Sequence, residues 1–160
     1  MRTVLLLIMS VAAHAAESVF GIWKVDTTRS TPKGSIQPMA LTVRIDPHAK
    51  GEVFTLERIE ADGQTISSST ILYFDGAPHD FQDSRCSGTQ SSRRLDSRTI
   101  EIARTCASGG SITIVRRLAA TSKELIFDIT EHHPDGRTFD LRLVLEKQSA
   151  VANSMNSQQR

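Results

Sequence analysis

Short apolar runs separated by turn signals constrain the fold of this chain more than any other feature of the sequence. In residues 41–45 and 138–145 apolar and polar side chains alternate, which is the period-two pattern of a strand with one buried face. Turn-forming pairs separate such runs, among them Asp62-Gly63, Asp75-Gly76 and Asp135-Gly136. The pattern predicts roughly nine strands with a turn about every ten residues, the spacing typical of β-sandwiches and β-barrels.

The connections between these runs decide the fold class. Most are too short for a crossover, so neighbouring strands should pair antiparallel, and no helical period competes with them. A long meander has to protect its two edges, and closure into a barrel is the simplest way. We therefore predict an all-β, antiparallel up-and-down meander that closes into a barrel of about eight to ten strands, with an open, flattened sheet as the alternative.

The N-terminus has the pattern of a secretory signal peptide. Arg2 supplies a positive charge, residues 4–9 are apolar, and small residues follow. The apolar run is too short to span a bilayer. We expect cleavage after Ala13, Ala15 or Ala16, which predicts a leader over 1–16, one barrel domain over 17–148 and a disordered tail over 149–160. The mature protein is then exported, periplasmic or secreted, and soluble.

Composition limits the kinds of partner that this chain is expected to bind. The chain of 160 residues has a formal net charge of +1, so nothing indicates a dedicated nucleic-acid binder. No polybasic tail is present, and we expect no stable membrane insertion. The oligomeric state stays open.

Two cysteines, Cys86 and Cys106, fit an exported protein with one disulfide. A hairpin centred on Asp96 places them opposite each other, because both are equally far from that centre. A redox-active or metal-binding pair is the alternative, but no C-x-x-C spacing supports it.

Gly21-Ile22-Trp23 resembles the opening signature of the lipocalins. In that family the Trp closes the base of an up-and-down barrel, and an Arg from the last strand packs over it. Arg142 is placed to be that Arg, and we expect Trp23 and Arg142 to be structural. The resemblance implies a lipocalin-like barrel that holds a small apolar or amphiphilic molecule.

The wider pattern also resembles a group of small exported bacterial proteins with no established activity. The motifs that carry this second resemblance are Tyr73-Phe74-Asp75-Gly76, Arg94-Leu95-Asp96, Arg116-Arg117-Leu118, Lys123-Glu124-Leu125 and Asp135-Gly136-Arg137.

Two groups of side chains are candidate metal ligands. The first is His132-His133, whose side chains point to opposite faces if both lie on one strand. The second is a loop group consisting of Asp75, His79, Asp80 and Asp83. Neither has a recognised ligand spacing, so we expect solvated loop residues, no metal and no cofactor.

Arginines are concentrated on three consecutive predicted strands, namely Arg85, Arg93, Arg94, Arg98, Arg104, Arg116 and Arg117. They form either a cationic patch for an anionic partner or a solvated surface that discourages aggregation. The sequence contains no G-x-S-x-G, H-E-x-x-H or phosphate-binding glycine loop, and we assign no catalytic residue.

Three functions remain open: a binding protein for a small apolar or amphiphilic ligand, a solid barrel that acts through its surface, and a small barrel isomerase or cyclase. For the first, we predict a cavity enclosed by apolar inner faces, with Arg116 and Arg117 near its rim holding an acidic headgroup. The residues predicted to enclose it are Val43, Leu56, Ile114, Phe127 and Leu141.

Overall fold

The computed structural model describes residues 18–32, 40–60, 62–83 and 86–149. The predicted leader, nearly all of the predicted tail, and Arg85 lie outside them. These described residues form eleven strands, which are Gly21–Val25 (β1), Thr31–Pro32 (β2), Ala40–His48 (β3), Gly51–Ile59 (β4), Thr65–Tyr73 (β5), His79–Gln82 (β6), Ser87–Arg94 (β7), Thr99–Cys106 (β8), Ser111–Leu118 (β9), Glu124–His132 (β10) and Thr138–Lys147 (β11).

The strands form one antiparallel sheet in the order β5-β4-β3-β1-β11-β10-β9-β8-β7-β6. The two-residue strand β2 lies off this path and pairs with β11 beyond the end of β1. The predicted all-β up-and-down meander is confirmed, and the ten strands of the path curve into a nearly closed barrel. No helix that could cross a bilayer is present in the part of the chain that the structure describes.

The barrel closes between β5 and β7 through side chains. Ser92 Oγ donates to the carbonyl of Tyr73 at 3.0 Å. Gln90 Nε2 lies 3.2 Å from Thr70 Oγ1 and donates to it. Gln90 and Ser92 are both buried, so these bonds satisfy polar groups that the interrupted ladder would otherwise leave without partners.

The local structure differs from the sequence pattern at two places. The strand that contains the alternating residues 41–45 is longer than that run, because β3 continues through Pro47 to His48. Pro47 is tolerated there since β1 pairs with β3 only as far as Ile45, which leaves the backbone of Pro47 without a ladder partner on that side. The region after Tyr73 is also not all loop, because His79–Gln82 forms β6 on the edge of β7.

Trp23 lies at one end of the barrel, here called the lower end, where the β3–β4, β7–β8 and β9–β10 turns also lie. Its side chain is fully buried, and its Nε1 donates to the carbonyl of Val19 at 2.8 Å. The cation over the ring is Lys147, with Nζ 5.2 Å from the ring centroid. Lys147 is the register partner of Trp23 on β11, which brings the ammonium to the indole.

The prediction that Arg142 packs over Trp23 is therefore wrong. Arg142 lies between Leu141 and Leu143, which face the interior, so alternation turns it to the outer face. There its guanidinium is 3.4 Å from the carboxylate of Asp128, and about half of the side chain is exposed.

Cys86 and Cys106 form a disulfide, as predicted, with their Cα atoms 5.2 Å apart. The hairpin register differs by two residues from the predicted one, because Cys106 pairs with Gly88 on β7. Since strand side chains alternate with period two, a two-residue offset keeps both cysteines on the same face. With Phe81 they form a small apolar cluster that is separate from the main core.

Reduction of this disulfide is expected to lower stability without abolishing the fold. The bridge links residues 20 positions apart, and closing a loop of that size is worth about 3 kcal/mol. We expect the Tm to fall by about 10 °C in reductant, measured by thermal unfolding followed by circular dichroism. A Cys86→Ser/Cys106→Ser variant is the control, since its Tm should not respond to reductant. An unchanged Tm in reduced wild-type protein would contradict the expectation.

Candidate ligand-binding cavity

The upper half of the barrel interior contains a cavity of about 220 Å³. It reaches the upper end, at which the β4–β5, β6–β7 and β10–β11 turns lie. Its apolar wall consists mainly of the inward faces of β3, β4 and β8 to β11, with Ile66 of β5 and Phe81 of β6 added. The other apolar side chains in the wall are Leu41, Val43, Phe54, Leu56, Ile102, Ile114, Phe127, Ile129, Leu141 and Leu143.

The five residues predicted to enclose a cavity all line this one, namely Val43, Leu56, Ile114, Phe127 and Leu141. Alternation explains their common orientation, because each lies two residues from another inward-facing apolar side chain on its strand. A role in ligand binding for Ile114, Phe127 and Leu141 stays a prediction.

A group of charged side chains, which we call the charged collar, lines the cavity near its upper end. It consists of Arg58, Glu60, Asp83, Arg104 and Glu131. Arg58 lies beside Glu60, with Nε 2.5 Å from the carboxylate. The described part of the collar therefore contains two guanidinium groups and three carboxylates, and its formal charge does not favour an anion.

Arg104 connects the collar to the seam at which the barrel closes. Its guanidinium lies 4.1 Å from the centroid of the Phe81 ring, and its Nε donates to Gln90 Oε1 at 2.9 Å. One of its terminal nitrogens lies 3.6 Å from the carboxylate of Asp83. Because Gln90 also bonds to Thr70, this network extends from β6 across β7 and β8 to β5.

Arg116 and Arg117 are not at a rim of the cavity, so their predicted placement is wrong. Arg116 points into the interior below the cavity and donates to both carboxylate oxygens of Glu52. Both partners are buried. Arg117, the next residue on β9, faces outward, and its guanidinium lies 3.9 Å from Asp128.

The remaining arginines of the predicted patch do not form one surface, because alternation distributes them over both faces of the sheet. Arg93 pairs with Glu101 on the outer face at 2.7 Å. Arg94 packs over the ring of Phe74 at the lower end. Arg98 donates to the carbonyl of Ala119. These separate local contacts favour the solvated-surface interpretation.

Two residues of the loop group of candidate metal ligands contact each other, and a third contacts the backbone nearby. His79 Nε2 lies 3.0 Å from the carboxylate of Asp75, and the His79 ring stacks on Tyr73. The pKa of Asp75 is lowered, first because the backbone N–H of Ala77 donates to its carboxylate and then because of His79. Asp83 accepts a bond from the backbone N–H of Cys86, on the far side of the β6–β7 turn.

His132 and His133 have separate partners as well. His132 Nδ1 lies 3.0 Å from Thr138 Oγ1. His133 packs edge to face on Phe139 and lies 3.7 Å from Glu131. The two imidazoles therefore have different partners across the β10–β11 turn, and they do not converge on one point.

Sequence reasoning did not assign the collar residues Arg58, Glu60 and Glu131, or the buried Glu52, to any site. A signal was present for all four. Glu52, Arg58 and, just beyond β4, Glu60 lie at the same alternating positions as Phe54 and Leu56, and Glu131 lies at those of Phe127 and Ile129 on β10. A position at every second residue of the inward face indicates that such a side chain points inward, but it does not identify the partner of that side chain.

Comparison with protein-family models gives no match, and comparison with curated protein sequences gives none either. The barrel is compatible with a lipocalin-like fold, and that likeness rests on the strand topology and on the buried Trp23 of the first strand.

Proposed function

We propose that this protein binds a small amphiphilic molecule, with an alkyl tail in the upper half of the barrel and a polar head at the charged collar. The observation that carries this proposal is the cavity of about 220 Å³ lined by aliphatic and phenyl side chains. Interiors are normally filled to crystal-like density, so a largely apolar space that opens at one end of a small barrel supports a binding function.

The collar suggests what kind of head is bound. Two guanidinium groups supply hydrogen-bond donors, and three carboxylates supply acceptors. A neutral or zwitterionic head can use both, whereas a plain carboxylate meets more negative than positive charge. We therefore replace the sequence-based expectation of an acidic head held by Arg116 and Arg117 with a neutral or zwitterionic head.

We also propose that the protein acts outside the cytoplasm. The leader pattern of residues 1–16 supports this, and the disulfide between Cys86 and Cys106 supports it independently. Structural disulfides persist in the periplasm and in extracellular space but are rare in the cytosol.

The two other functions have less support. A barrel that acts only through its surface needs no internal space, whereas the upper half of this one is hollow. An isomerase or cyclase needs an ionisable group that reaches its substrate. The buried carboxylate of Glu52 does not line the cavity, and Arg116 binds both of its oxygens. The ionisable groups that do line it are those of the charged collar, where the proposed ligand places its polar head.

The test is calorimetric titration with four compounds that share an eight-carbon chain and differ in the head: 1-octanol, N-octyl betaine, octanoate and octylamine. We expect the alcohol and the betaine to bind most tightly, with a Kd of about 0.1–1 mM for so small a ligand. No binding by any of the four at several millimolar would contradict the proposal.

A pair of variants locates the binding. Leu56 lines the cavity, so Leu56→Trp fills part of it and should weaken binding about tenfold or more. Its neighbour Thr55 is not part of the cavity wall, and Thr55→Trp is the matched control that should bind like wild type. Equal loss in both variants would indicate that the ligand binds elsewhere.

A further inference from the structure

The barrel interior consists of a hollow upper half and a solid lower half. The cavity wall ends at the level of Phe54 and Phe127. Below it lie fully buried side chains that do not line the cavity: Trp23, Ile45, Leu72, Ile100, Leu125 and Leu145. A ligand tail that is inserted from the upper end must therefore stop part of the way down.

Two phenyl rings form the floor of the cavity. The rings of Phe54 and Phe127 lie 6.0 Å apart between centroids and are inclined by 58°. Both side chains are almost fully buried, at 8% and 4% exposure, although they also border the cavity. They reach the centre of the interior from opposite walls, since one is on β4 and the other on β10.

The buried ion pair borders this floor. Glu52 is two residues below Phe54 on the inward face of β4, and Arg116 is the register partner of Phe127. Hydrocarbon that displaced the rings would meet this pair. Separating two buried charges, or placing methylene groups against them, is strongly unfavourable, because the charges lose their partners without regaining water. The floor is therefore a stronger barrier than packed aliphatic side chains alone.

The depth of the hollow half sets a length. Four residues separate Phe127 in the floor from Glu131 in the collar. At about 3.3 Å per residue on a strand tilted by about 40°, they span roughly 10 Å of the barrel axis. A carbon–carbon bond of about 1.5 Å advances an extended alkyl chain by roughly 1.25 Å, so this depth holds about eight carbons.

The volume leads to a similar limit. At about 30 Å³ for a water-sized group, 220 Å³ holds roughly seven such groups. Carbons beyond that number would extend past the collar into solvent, where they gain no burial.

We infer that Phe54 and Phe127 are specificity-determining residues that select ligands with an unbranched alkyl chain of about eight carbons. The inference rests on the proposed function and extends it, because it names the chain length and the residues that set it. Affinity should rise about fourfold with each added carbon while the new methylene is buried. It should stop rising once the chain reaches the floor.

Calorimetric titration with 1-alkanols of four to ten carbons tests the limit in the full chain. For wild type we expect the Kd to fall about fourfold per carbon up to about eight carbons and to stay level between eight and ten. For Phe127→Ala we expect the Kd to keep falling through ten carbons, because removal of the ring adds room for roughly three methylene-sized groups.

Leu125→Ala is the matched control. It also removes a buried side chain from β10, but one that lies two residues below Phe127 and does not line the cavity. It should lose stability and keep the wild-type limit at about eight carbons. If Phe127→Ala does not fold, Phe127→Leu and Phe54→Leu open the floor more gently and should move the limit by about one carbon.

The possible outcomes separate this inference from the proposed function. A wild-type Kd that keeps falling about fourfold per carbon through ten carbons would overturn the length limit and leave the binding function standing. If the Kd of Phe127→Ala also stays level between eight and ten carbons, the role of the floor is overturned. No binding by any alkanol would overturn the binding function, and the limit with it.

Discussion

Glu52→Ala is expected to destabilise the protein by about 3–5 kcal/mol. The variant leaves the Arg116 guanidinium buried below the cavity, with only 3% of the residue exposed, and removes the carboxylate that binds it. A buried charge without its counter-charge costs far more than the lost attraction between the partners, because it remains out of water. Urea unfolding followed by circular dichroism, with unchanged m-values, measures the loss.

Two further variants show whether the buried charge is the cause. Glu52→Leu/Arg116→Met removes both charges and keeps apolar volume, and we expect its stability to be close to or above that of wild type. Glu101→Ala breaks the exposed pair with Arg93 on the outer face and should cost less than about 1 kcal/mol. If Glu52→Ala costs no more than Glu101→Ala, the pair is not buried in solution as the structure has it.

Trp23→Ala should cost a similar amount, about 3–5 kcal/mol. Trp23 is the largest fully buried side chain and closes the lower end of the barrel. Truncation leaves a cavity beside Val43, the register partner of Trp23 on β3, and removes the bond from Nε1 to the Val19 carbonyl. Because Trp23 is the only Trp, its fluorescence in the wild type reports burial directly.

Urea unfolding of Trp23→Ala gives the stability loss, and Trp23→Phe separates its causes. The Phe variant keeps an aromatic ring and loses the hydrogen bond, so its cost should be about half or less of that of Trp23→Ala. Phe20→Ala, on the exposed segment before β1, is the control and should be nearly neutral. A native emission maximum typical of Trp in water would contradict the burial of Trp23.

Neither variant removes a side chain of the cavity wall, because Glu52 and Trp23 do not line it. We therefore expect their main effect on the free energy of unfolding, whereas a variant of the wall such as Phe127→Ala changes both stability and the affinity for the ligand.

The sequence by itself determined the features that depend on local alternation. A strand has period two, so the inward direction of Val43, Leu56, Ile114, Phe127 and Leu141 followed from their apolar neighbours at every second position. The turn pairs with glycine gave the antiparallel meander, because the left-handed conformations that glycine adopts at Gly63 and Gly136 reverse the chain tightly. The disulfide prediction is correct although the predicted register is off by two residues, because a shift of two residues keeps side chains on the same face.

Only the tertiary structure decided which inward side chains meet across the barrel. Glu52 and Arg116 are 64 residues apart in sequence, and their contact depends on the stagger of the strands and the width of the barrel. The register of β1 on β11 put Lys147 over Trp23, whereas alternation along β11 alone already turns Arg142 outward. The extent of the cavity depends on how much of the barrel interior is filled by side chains from many strands. The alternation along any one strand does not predict this volume.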